Sequence, residues 1–83
     1  MRVFLYEHIT ATCDASDPLH VEGAAMRDCL RADLDAIAEV QVMDGDLDSC
    51  AAEADWTILI APETGGILAN LADRVIALGG RLL

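Results

Sequence analysis

Residues Trp56 to Gly66, WTILIAPETGG, hold an apolar run that breaks off into a proline, a carboxylate, a hydroxyl and paired glycines. The run from Trp56 to Ala61 is continuous rather than alternating and rich in β-branched side chains, the pattern of a parallel strand buried on both faces. It predicts a central strand. Pro62 cannot donate to a sheet ladder and ends it, while Thr64 offers an N-cap to a helix whose first turn carries Gly65 and Gly66. Beyond them Ile67, Leu68, Leu71, Val75, Ile76 and Leu78 recur at helical spacing and stop at Gly79-Gly80, a C-cap signal. In open α/β sheets ligands bind at the carboxyl ends of such strands, which puts Glu63 and Thr64 beside any site.

The rest of the chain repeats this strand–loop–helix unit. Arg2 to Tyr6 is an opening strand with Glu7-His8 at its carboxyl end, and the polar stretch Ile9 to Ser16 reads as a loop. Asp17-Pro18 is an N-cap followed by a proline at the first helical position. In the helix that follows, Val21, Met26, Leu30, Leu34 and Ile37 trace an apolar stripe. Gly23 inside it costs about 1 kcal/mol relative to alanine; either a close approach to a strand or ligand, or a plain surface position, accounts for it. Val40 to Met43 is a short second strand, Asp44-Gly45-Asp46 a turn, Leu47 to Ala54 a short helix, and Arg81-Leu82-Leu83 the opening of a fourth strand.

The order βαβαβαβ specifies an α/β, three-layer, Rossmann-like domain with a parallel four-stranded sheet and right-handed crossovers. Strand order 2-1-3-4 follows, with the winding reversing between the first and third strands, so that the loops at Glu7 and Pro62 border one crevice. A chain of 83 residues makes one domain, residues 1–83, burying only about 60% of the surface its unfolded form exposes. An edge as apolar as Arg81–Leu83 is normally covered, so that strand reads as the start of something longer.

Composition removes several functions. Fifteen carboxylates face five arginines and no lysine, for a formal charge of −10, so a phosphate backbone would be repelled. Without lysine there is no Schiff base and no P-loop, and neither GxGxxG nor GxxxxGK[ST] occurs, so no nucleotide cradle is encoded. A response-regulator receiver shares the fold type but needs a lysine and an aspartate after the third strand, where Pro62-Glu63 stands. The longest apolar run is far short of the roughly 20 residues that span a bilayer, and no signal peptide is evident, so the expected location is the cytoplasm. Cys13, Cys29 and Cys50, odd in number and widely spaced, read as reduced thiols. Asp44, Asp46, Asp48 and Asp55 occupy positions 1, 3, 5 and 12 of a calcium loop, but Ser49 replaces the turn glycine and no helix leads in. Helix capping by Asp46 or Asp48 explains them better. His8 and His20 are too far apart for a local metal pair.

RVFLYEHIT at the start, the VEG of Val21 to Gly23, ADWTILIAPETGGIL and the closing LGGRLL together resemble the N-terminal pre-ATP-grasp domain of ATP-grasp ligases. Within that superfamily the chain is similar to the tyramine–L-glutamate ligases of methanofuran synthesis, whose relatives also occur in bacteria with the methanopterin-linked one-carbon pathway. The resemblance implies a domain that forms one wall of a substrate cleft, while further subdomains, in the same or a separate chain, hold ATP and magnesium and carry the catalytic groups. It implies Glu7, His8, Glu63 and Thr64 as substrate-binding residues, with Glu22 and Gly23 beside them, and no catalytic or metal-binding residue on this segment. The chain departs from the resemblance at Ala11 to Ala15, where relatives carry a glycine-rich loop. Two readings stand at this point: an ATP-grasp domain inert by itself, or a stand-alone Rossmann-like module that covers its last strand by forming a homodimer.

Overall fold

The first strand is central in the sheet, as the order 2-1-3-4 expects, whereas the third has a full strand on one side only. The computed structural model describes all residues, Met1–Leu83, and contains three strands: β1 (Arg2–Glu7), β2 (Gln41–Met43) and β3 (Trp56–Ile60), parallel and in the order β2-β1-β3. Val3 pairs with Val42 on one side and Trp56 on the other, and the register runs on to Glu7 opposite Ile60. Four helices connect and flank them: α1 (His8–Thr12), α2 (Pro18–Asp35), α3 (Leu47–Glu53) and α4 (Ile67–Ala77), the last preceded by a single 3-10 turn, Thr64–Gly66.

A four-stranded sheet of order 2-1-3-4 is therefore corrected to three strands. The closing residues do lie beside β3, in the fourth position, but form only an isolated parallel bridge between Leu82 and Thr57. Its two bonds run from Thr57 N–H to Arg81 O at 2.7 Å and from Leu83 N–H to Thr57 O at 3.0 Å. A ladder needs consecutive bridges, and only Leu82 has bonds on both flanks. β3 is also not fully buried: Thr57 is wholly enclosed while Trp56, Ile58, Leu59 and Ile60 are half-buried.

Alternation along the strands separates the faces. Phe4 points to the side of α3 and α4, where it meets Leu47, Cys50, Ala51, Leu71 and Val75 in the one buried cluster. α2 lies on the opposite face, over β1 and β2. Its start follows the sequence, with the Asp17 side chain accepting from Leu19 N–H at 2.9 Å ahead of Pro18. Its rotation does not. Val21, Met26 and Ile37 of the expected stripe are exposed, and the only fully buried residue of the helix is Gly23. Arg27, Leu30 and Leu34, which follow Gly23 in steps of four, three and four residues, complete the inward side.

Two local expectations also change. Ile9 to Ser16 is not all loop, because Glu7 caps a five-residue helix directly after β1. Thr64 does not cap α4; Gly65 and Gly66 sit at φ +66° and +72°, so the chain makes a left-handed kink that glycine tolerates, and the helix starts at Ile67 without a side-chain cap. The C-terminus of α4 closes as expected, with Gly80 N–H bonded to Val75 O at 2.9 Å and Gly79 N–H to Ile76 O at 3.0 Å.

Phe4 is the largest wholly buried side chain and touches both helices of its face. Phe4→Ala should cost about 3–5 kcal/mol, a large share of what a small domain has. Urea denaturation followed by circular dichroism is expected to show the variant largely unfolded in buffer; a cooperative transition at the parent's midpoint would contradict this core assignment.

Candidate functional site

Glu7 ends β1 with its side chain on the α2 face, 4% exposed. It accepts from Ile9 N–H at 3.0 Å through Oε1 and from Thr10 N–H at 2.6 Å through Oε2. Burial alone would push this carboxyl upward, but the hydrogen bonds from Thr10 and Ile9, helped by the nearby Arg27 charge, outweigh it and hold the group below the usual glutamate range. Glu7 is thus a buried carboxylate that stays ionised. Gly23 makes the burial feasible: a Cβ there would lie 2.5 Å from Glu7 Oε2. Of the two readings of this glycine, the close approach is the correct one.

Two hollows open on either side of Glu7. The first, of about 230 Å³, lies at the carboxyl ends of β1 and β3. Glu7 and Gly23 form its base, Glu22 its polar edge, and Ile9, Leu19, Met26, Ile60 and Pro62 its apolar walls. Because α2 and α4, the long helices that follow β1 and β3, pack on opposite faces, this is the switch point of the sheet. The second, of about 520 Å³, lies at the ends of β1 and β2, between Tyr6, Thr10, Arg27, Met43 and the turn Asp44 to Asp46.

The sequence-derived positions divide between these hollows and solvent. Glu7 borders both, and Glu22 and Gly23 border the first. His8 follows directly, half-buried, its ring centroid 6.3 Å from that of Tyr6 and its Nδ1 enclosed without a hydrogen-bond partner. Glu63 and Thr64 are exposed, one and two residues past the Pro62 wall, and line neither hollow. Arg27, Leu19 and Met26 join the site without any motif in the sequence that marks them. The spacing of Leu19, Glu22, Gly23 and Met26 along one helix edge was the available signal, obscured by the misjudged rotation of α2.

The four aspartates of the calcium-loop pattern are each engaged elsewhere. Asp44 forms a bidentate pair with Arg31, which lowers its carboxyl below the ordinary range. Asp46 caps α3 by accepting from Ser49 N–H at 2.8 Å, Asp48 pairs with Arg74, and Asp55 accepts from Arg2 N–H at 2.7 Å. No three His, Cys, Asp or Glu side chains converge as a metal site, and the three cysteines are unpaired. No helix is long and apolar enough to cross a membrane.

Together these features define a Rossmann-like α/β domain whose candidate binding crevice sits at the sheet's switch point, with one ionised carboxylate at its base. The family model described as the pre ATP-grasp 3 domain matches residues 8–83, and the chain belongs to that family. The match supports an ATP-grasp ligase N-terminal domain as its class. Neither the curated proteins nor the solved structures contain a match to this chain.

An alanine in place of glycine inside a helix ordinarily stabilises by up to about 1 kcal/mol. At Gly23 the sign should reverse, because the methyl group must displace the Glu7 carboxylate, and overpacking of this kind costs about 1–3 kcal/mol. A thermal melt of Gly23→Ala is expected to fall below that of the parent; a rise would show that the helix and Glu7 are not in contact.

Proposed function

We propose that this chain forms one wall of the substrate cleft in an ATP-dependent carboxylate–amine ligase of the cytoplasm, and is inert without the ATP-binding subdomains. The observation that carries the proposal is a buried, ionised Glu7 at the switch-point crevice of a pre-ATP-grasp domain. In such a ligase ATP phosphorylates a carboxylate and an amine displaces the phosphate. ATP and magnesium do not fit this chain's own residues, which include no lysine and no three-ligand cluster, so no step of phosphoryl transfer is assigned to it.

What this chain supplies is binding and orientation. A carboxylate has about four acceptor sites, and two on Glu7 are taken by Ile9 and Thr10, leaving capacity for an ammonium or hydroxyl group of the substrate. A carboxyl held below its ordinary range is a poor base at neutral pH, so Glu7 positions the amine and does not deprotonate it. The walls of Ile9, Met26, Ile60 and Pro62 suit an apolar body attached to that amine. His8, with its unpaired Nδ1, and Glu63 and Thr64 on the loop after β3 are the further substrate contacts proposed. An aryl-alkyl amine such as tyramine, joined to L-glutamate as in methanofuran synthesis, fits this combination.

The test is a titration of the ¹⁵N-labelled chain with tyramine, with acetate as a control. Backbone resonances of Glu7 to Thr10, Gly23 and Ile60 to Thr64 are expected to shift and saturate, and Glu7→Gln to weaken binding about tenfold, the loss of roughly 1.4 kcal/mol. Shifts confined to other surfaces, or none in the parent, would contradict the assignment.

A further inference from the structure

The larger hollow, at the ends of β1 and β2, lies outside the crevice that takes the amine, and its lining carries charge of both signs. Glu7 and Thr10 stand on one side, Arg27 of α2 on another, and the turn Asp44 to Asp46 on the third. These walls are already tied together within the chain: Glu7 caps α1, and Asp44 is clamped bidentately to Arg31 of α2. The closing residues bridge β3, across β1 from β2, and contribute nothing to them. A volume of about 520 Å³ is that of a small-molecule site.

The charges on this lining differ in how far the chain itself satisfies them. Both oxygens of Asp44 bond Arg31, whereas Asp46 accepts from Ser49 N–H through Oδ1 alone and its Oδ2 accepts nothing. Glu7 accepts two bonds of the four or so that a carboxylate can take. Arg27, half-buried, bonds Asp28 through Nε only, so both its Nη groups are unpaired within the chain. It is the one cation on the lining, close enough to Glu7 for its charge to act there. Such a lining discriminates among small ligands. A dianion such as phosphate meets three carboxylates for one guanidinium, and a bare metal ion meets that guanidinium and no three-ligand cluster. A molecule with both an ammonium and a carboxylate matches both signs. The planar Nη fork pairs a carboxylate through two parallel bonds, and free carboxylate oxygens accept from the ammonium. We infer that this hollow binds an α-amino acid, its carboxylate on the Nη fork of Arg27 and its ammonium on the side formed by Glu7 and Asp46. Glu7 borders both hollows, so the amino acid here and an amine in the crevice reach one carboxylate from two sides. That last arrangement, unlike the amino-acid site, rests on the ligase function proposed above.

The test is a titration of the ¹⁵N-labelled chain with L-glutamine and with L-glutamate. Two analogues of glutamine each lack one group: 4-carbamoylbutanoate has no ammonium and 4-aminobutanamide no carboxylate. Arg27 Nε–H and the amides of Asp44 to Leu47 are expected to shift and saturate with the amino acids, and each analogue to bind at least about tenfold more weakly. Arg27→Gln should weaken L-glutamine about tenfold, and Asp46→Asn, which keeps a cap on α3, several-fold. Asp33→Asn, at an exposed carboxylate of α2 that lines neither hollow, should change nothing. Saturation by neither amino acid, an analogue as tight as glutamine, insensitivity to Arg27→Gln, or an equal loss in Asp33→Asn would each overturn the inference. Arg27 and Asp44 to Leu47 are not among the resonances that report tyramine in the crevice, so failure here is distinct from failure there.

Discussion

The contact between the Glu7 carboxylate and the bare backbone of Gly23 sets the geometry of one whole side of this domain. It joins the end of the central strand to the N-terminal third of the longest helix at a distance no side chain on the helix would allow. The same carboxylate caps α1, so strand end, short helix and long helix meet at one buried charge. Removing a carboxylate from water is costly unless hydrogen bonds replace the lost hydration, and two backbone N–H groups do so here. The crevice between β1 and β3 and the hollow between β1 and β2 both border this carboxylate.

The electrostatic economy of the rest of the chain is equally local. Arg31 and Arg74 are held by Asp44 and Asp48, Arg27 by Asp28, and Arg2 and Arg81 bind carbonyls beside the start of β3. These pairs are exposed and contribute little stability individually. Their importance is that every arginine is occupied, so the excess acidity is left facing solvent or a partner. Such a surface repels polyanions and attracts basic ones.

Much of this architecture was legible in the chain. Asp17-Pro18 marked the start of α2, Gly79-Gly80 the end of α4, and the apolar run from Trp56 marked a strand, because each signal is local and needs no tertiary contact. One departure is local, the left-handed kink at Gly65-Gly66 that removes Thr64 as a cap; the others come from tertiary effects. α1 was read as loop because its cap is Glu7, a residue type that seldom caps helices, recruited by the strand end. The rotation of α2 was misjudged because a glycine carries no hydrophobic signal, yet its contact with Glu7 turns the helix. β3 was read as central because its composition is that of a strand with neighbours on both sides and both faces. Within this chain it has one full neighbour, one bridge and one covered face. For the site, the strand-end position alone pointed to Glu7, whereas Arg27, Leu19 and Met26 depend on a helix rotation that the periodicity did not reveal.

All of this rests on Glu7 being ionised while enclosed. Its folded-state value lies below the unfolded one, so its contribution to stability is present above about pH 4.3, the ordinary glutamate value, and is lost as pH falls through the lower folded value. The side-chain ¹³C resonance of Glu7, followed from neutral to acid pH, measures this directly. A midpoint below that of an unfolded-chain glutamate, moved upward in Gly23→Ala, is the predicted result. A midpoint at or above the ordinary value would mean that the carboxylate is neither capped nor held against α2, and the account of the site would fail with it.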